Sequence, residues 1–101
     1  MDPATVKEKL IAVLRQIQAD SGLDCPPLTG DTKPVEDLPG FDSKMWPVAT
    51  TMLATEIGAT IPNDVNIFVE ETTELPRSID EIAVFVCALL NKQSQQEAAA
   101  A

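Results

Sequence analysis

The residues best placed to do chemistry are Asp42 and Ser43, within Gly40-Phe41-Asp42-Ser43-Lys44. Gly40 follows Pro39 and frees the backbone for a tight turn. Asp42 carries the short carboxylate of a helix N-cap, which accepts from first-turn amides that have no other partner. Ser43 then falls in that first turn with its hydroxyl toward water, and a helix is expected from Ser43 to about Ile57. A helix N-terminus offers free N–H groups and a favourable dipole to an anion. A phosphate held covalently on Ser43 would be well accommodated there. Taken alone, the same two residues read more simply as plain caps.

Other chemistries find little support. The chain has no histidine and no tyrosine, so zinc sites of the usual kinds and a histidine-based triad are excluded. Acid–base work would fall on carboxylates or on Cys25, and no pairing of these stands out. Glu70, Glu71 and Glu74 form an acidic cluster that a solvated face explains. Cys25 and Cys87 lie in no metal or redox pattern; Cys87 reads as a small core filler and Cys25 as a loop residue. With no signal peptide and no apolar run near eighteen residues, a cytoplasmic location with reduced thiols is expected. An enzyme is not expected.

The 101 residues suit one domain, and 45% hydrophobic residues are enough for a core, mostly aliphatic because aromatics are only 4%. The net charge of −9 argues against non-specific nucleic-acid binding and adsorption to anionic membranes, both of which need excess Lys and Arg. A basic partner surface is the natural counterpart.

The elements that must position Ser43 follow from periodicity. Val6, Leu10, Val13, Leu14 and Ile17 recur at helical spacing after the start signal Asp2-Pro3, and the stop comes at Asp20-Ser21-Gly22. Residues 23–41 hold Pro26, Pro27, Pro34 and Pro39 with Gly30 and Gly40, so they form a long connection. Leu28, Val35, Leu38 and Phe41 should anchor it, with a single helical turn over Pro34–Leu38. In the second helix Val48, Met52, Leu53 and Ile57 make the stripe, and Gly58 ends it. Pro47 must lie within the first turn or so, or else kink the helix. Asn63-Asp64 would cap a short helical piece through about Glu70, although the run Asn66 to Val69 reads equally as a short strand. Ser78-Ile-Asp-Glu81 is a capping box opening the last helix, with Ile79, Ile82, Ala83, Val86, Leu89 and Leu90 inward. Residues 1–92 are expected to be one helical domain and 93–101 a flexible tail.

A helix, a long loop, Gly-x-Asp-Ser at the mouth of a second helix, a short third helix entered through Ile61-Pro62 and a capped fourth helix: over residues 4 to 91 this layout resembles the acyl carrier proteins. The resemblance implies an all-α fold, a four-helix bundle with a long first loop and a short third helix. It implies that Ser43 carries 4'-phosphopantetheine, derived from coenzyme A, through a phosphodiester, with Asp42 beside it. Acyl groups would ride on that arm as thioesters in a lipid, polyketide or related pathway. The partners implied are a phosphopantetheinyl transferase and acyl-activating, condensing or acyltransferase enzymes, with a monomeric carrier and no membrane insertion.

Val48, Met52 and Leu53 could line an acyl pocket against Ile67, Phe68, Ile82 and Val86; ordinary core packing accounts for the same residues. The chain also departs from the family. The second helix of these carriers is usually acidic, whereas residues 43 to 62 here contain only Lys44 and Glu56; the acid lies in residues 21–42 and 63–81. Lys44, Met45 and Trp46 follow the serine where a leucine is usual. They suggest docking by apolar contact with Trp46 as anchor, unless Trp46 folds inward against the Phe41 loop. An unmodified helical adaptor with an apolar groove would share the helices and the acidity, and would be indifferent to Ser43→Ala.

Overall fold

The computed structural model describes residues 2–62 and 65–100, with side chains as far as residue 92. It is all-α: α1 spans Pro3–Asp20, α2 Pro34–Asp37, α3 Trp46–Ile57 and α4 Ile79–Ala100. Among the described residues no strand forms, only an isolated antiparallel bridge between Val69 and Pro76. Among the described residues no helix is long and apolar enough to cross a membrane.

α1 begins where the sequence says it should. Asp2 Oδ1 accepts from Thr5 N at 2.8 Å, and Pro3 occupies the first helical position, where its missing N–H is no loss. The helix ends in a Schellman turn. Leu23 N reaches the Gln18 carbonyl, Gly22 N reaches Ala19, and Gly22 takes φ 67°. α3 ends the same way: Ala59 N bonds Ala54, Gly58 N bonds Thr55, and Gly58 sits at φ 66°.

α1 is the central strut, packing against both α4 and α3. Its Val6, Leu10, Val13, Leu14 and Ile17 meet Ala49, Leu53 and Ile57 of α3 and Ile79, Ile82, Ala83 and Val86 of α4 in one buried cluster. Loops complete that core. Phe41 and Phe68, from the segments on either side of α3, stand edge to face with centroids 5.1 Å apart. Leu28 and Leu38 are buried as the anchors of the first connection, while Val35 is half-buried. α2 is the expected single turn, its cap N–H at Leu38 bonded to the Pro34 carbonyl.

Two expectations about elements are corrected. The second long helix opens at Trp46, not at Ser43; residues 43–45 form a turn. Pro47 is the cause. A helix opening at Ser43 would need an N–H from Pro47 to its carbonyl and would bring the ring against it. Starting at Trp46 puts Pro47 in the first turn, where no N–H is required. The short third helix is also not formed over Val65–Glu70, which is irregular; its expected cap, Asn63 and Asp64, lies outside the described residues. The backbone of α4 stays helical through the stretch expected as a tail, to Ala100; residue 101 lies outside the described residues.

The chain from Asn66 to Arg77 doubles back on itself. Arg77 N bonds the Phe68 carbonyl and Glu70 N bonds that of Leu75. Asn66 Oδ1 accepts from Phe68 N and Val69 N. The buried Arg77 guanidinium closes the loop from inside: Nη1 donates to the Asn66 carbonyl at 2.8 Å and to the Val69 carbonyl at 3.1 Å. The same guanidinium lies 4.0 Å over the Phe85 ring of α4.

Candidate functional site

Ser43 is exposed in the turn that leads into α3. Asp42 shapes that turn instead of capping the helix. Its Oδ1 accepts from Lys44 N at 3.1 Å, and its carbonyl accepts from Met45 N at 2.9 Å. The N-cap position falls on Met45, which has no side-chain acceptor, so the first-turn amides of Trp46 and Val48 are capped by no side chain.

The contrast with α4 is sharp. There Ser78 N donates to Glu81 Oε1 at 2.9 Å and Glu81 N to Ser78 Oγ at 3.2 Å. Ile79 N and Asp80 N are taken by the Thr32 and Gly30 carbonyls, at 2.8 and 3.0 Å. The head of α4 is closed by its own chain; the head of α3 is open to an external acceptor beside an exposed hydroxyl.

Next to Ser43 lies a groove of about 410 Å³. Trp46, Pro47, Thr50 and Thr51 of α3 form one wall, and Val65 and Asn66 form the other. Thr50 Oγ1 donates to the Trp46 carbonyl at 2.8 Å. Trp46 is half-buried against the core, and its Nε1 is shut away from water with no hydrogen-bond partner among the described residues. An unpaired buried donor costs about 1–3 kcal/mol, which a movement of the ring that brings it to an acceptor would recover.

The residues expected to line an acyl pocket do not line this groove. Leu53, Ile67, Phe68, Ile82 and Val86 are brought together, each 0% exposed, as the close-packed centre of the core. Met52 is half-buried. Val48 is 47% exposed on the outer side of α3 and does not face the others. The reason is helical phase: Ala49, Leu53 and Ile57 point inward, and the neighbouring rows 46/50 and 47/51 form the groove wall. Of the three expected docking residues, Lys44 is exposed, whereas Met45 and Trp46 are half-buried and packed on the core. Sequence reasoning missed Thr50, Thr51, Val65 and Asn66, although the Thr pair one turn beyond Trp46 and Pro47 is a readable signal.

Among the other ionisable groups, Glu70 and Cys87 have their environment set by the fold. Glu70 is held below the usual carboxylate value by the Thr73 backbone N–H, which lies 2.6 Å from its Oε2. Cys25 is exposed, while Cys87 is buried with its thiol pushed up by desolvation. Among the described residues no cluster of three or more metal-ligating side chains forms. No protein-family model matches the chain, and neither a curated protein nor a solved structure does.

Proposed function

We propose that the protein is an acyl carrier whose Ser43 holds 4'-phosphopantetheine, presenting acyl intermediates to enzymes of a lipid, polyketide or related pathway in the cytoplasm. The observation that carries this reading is the exposed Ser43 hydroxyl before the uncapped head of α3, with a groove alongside. When bound, the arm supplies a thiol on which an acyl group is held as a thioester.

The chain's own residues suit the task. Ser43 Oγ is within reach of a phosphopantetheinyl transferase without local unfolding, since the turn around it is exposed from Asp42 to Lys44. Asp42 spends its carboxylate on the Lys44 amide. That fixes the turn and keeps the hydroxyl clear of a competing local bond. The Trp46 and Val48 N–H groups and the Lys44 ammonium favour a phosphodiester at this position. Condensing, acyl-activating or acyltransferase partners would approach the same end, where Lys44, Pro47 and Val48 are exposed. No part of this requires a catalytic group in the chain.

The test is intact-mass analysis after incubation with coenzyme A and a promiscuous phosphopantetheinyl transferase. Wild type is expected to gain one arm and Ser43→Ala none. An unchanged wild-type mass with several such transferases would sink the carrier reading and favour an unmodified adaptor.

A further inference from the structure

We infer that the groove beside Ser43 is a seat for a carbonyl-rich chain, the amide-bearing arm itself, and is not a shelter for a long alkyl tail; this rests on the carrier reading above. Three observations converge on it. First, the groove begins at the attachment residue, so the segment nearest the phosphodiester meets it first. From Trp46 to Thr51 it follows α3 for about 8 Å at 1.5 Å per residue, and a second, threonine-rich hollow that shares Thr50 and Thr51 carries on toward Gly58 and Ile61. Second, its lining is mixed, unlike a lipid site. Pro47, Val65 and Trp46 bring apolar surface, while Thr50, Thr51 and Asn66 offer polar groups.

Third, the polar groups match both sides of an amide. Asn66 commits its Oδ1 to the Phe68 and Val69 amides, which leaves its –NH₂ as a donor. Thr50 spends its proton on the Trp46 carbonyl and keeps lone pairs for an incoming N–H. Trp46 Nε1 is shut away from solvent and has no protein partner among the described residues. A turn of the ring within the groove wall delivers that N–H to a carbonyl of the arm and relieves the orphaned donor. A saturated chain would leave it orphaned. To go deeper, such a chain would have to part Leu53, Ile67 and Phe68, which are fully buried.

Trp46 is the only tryptophan in the chain, so its indole N–H gives a single signal in a ¹H–¹⁵N spectrum. The full-length ¹⁵N-labelled protein is loaded from coenzyme A, and separately from an analogue whose arm has both amides replaced by methylenes of equal length. Mass spectrometry confirms each product. The natural arm is expected to move the indole resonance downfield, and the all-methylene arm to leave it near its unloaded position. Asn66→Leu, loaded to the same mass, is expected to show a smaller shift. A loaded protein whose indole signal stays put, or moves equally with both arms, overturns the seat while leaving the carrier intact. Failure to gain mass overturns the carrier reading and the seat together.

Discussion

Gln18 shows how much one side chain can organise. It is fully buried on α1, one helical turn beyond Leu14, and its Nε2 donates to the carbonyls of Asp24 and Pro39, both at 2.9 Å. One amide thus ties the two ends of the long connection to the central helix, and the Pro39 end lies just before the turn that presents Ser43. Spacing alone places residue 18 on the buried stripe; its polar type hides that, and the carbonyls it meets are set by how the loop folds. Gln18→Leu is expected to leave the Asp24 and Pro39 carbonyls without their donor. Removing the buried Gln18 Oε1, which has no partner among the described residues, partly offsets that loss, for a net cost of about 1 kcal/mol. Thermal denaturation checks this, with Tm falling by about 5 °C. A Tm unchanged from wild type would remove Gln18 from this role. The Ser43 turn has its own single-residue constraint. Gly40 takes φ 69°, and a Cβ there would lie 2.6 Å from Leu23 Cδ1, so the glycine in the motif is needed for backbone reasons unrelated to chemistry.

At the scale of elements, α1 and α4 were readable because periodicity and caps agree in each. α3 was readable in its stripe and its Gly58 stop but not in its start. Asp42 is the better cap by type, yet Pro47 decides the register, because a misplaced ring costs more than a missing cap. Val65–Glu70 was ambiguous from the outset: Ile67 and Phe68 are buried by packing against Phe41 and the core, and that burial needs no regular element. The site was half legible for the same reason. Ser43 and Trp46 stand out by type, whereas the Val65–Asn66 wall exists only once that loop is folded.

The capping box of α4 makes a prediction at this scale. The Ser78 backbone N–H, then its side chain, holds the Glu81 carboxyl below its ordinary value of 4.5. The folded state therefore binds that proton more weakly than the unfolded chain. The stability it adds is complete above the unfolded value and is lost as pH falls below about 4.5 through the depressed folded value. Relief of repulsion in a chain of net charge −9 acts in the opposite direction, so the comparison must be between variants. Glu81→Gln is expected to lower stability at neutral pH and to lose less than wild type between about pH 5 and pH 3, followed by denaturant titration at each pH. Parallel curves would remove the box from the acid response.

The whole molecule is one core with three long helices and two loops contributing to it, and the two cysteines sample it at opposite depths. Cys25 is exposed in the first connection; Cys87 is 5% exposed on α4 among the core residues. Under a thiol reagent in native buffer, Cys25 is expected to react as a free surface thiol. Cys87 should react only through opening, slower by roughly a thousandfold or more. Comparable rates for the two would mean that α4 does not close the core as described.

The fastening of the Asn66–Arg77 loop has a consequence of its own. Its hub is the Arg77 guanidinium. Its partners are peptide oxygens and an aromatic face, none of which titrates. The outer turn of the same loop is built differently: Glu70 holds the Thr73 N–H through a carboxylate kept below its ordinary value, so acid loosens that turn and leaves the Arg77 contacts in place. On acidification the Glu70–Thr73 tip should let go together with the helix heads that depend on Asp2 and Glu81, while the carbonyls of Asn66 and Val69 stay tied to Arg77 at the wall opposite α3.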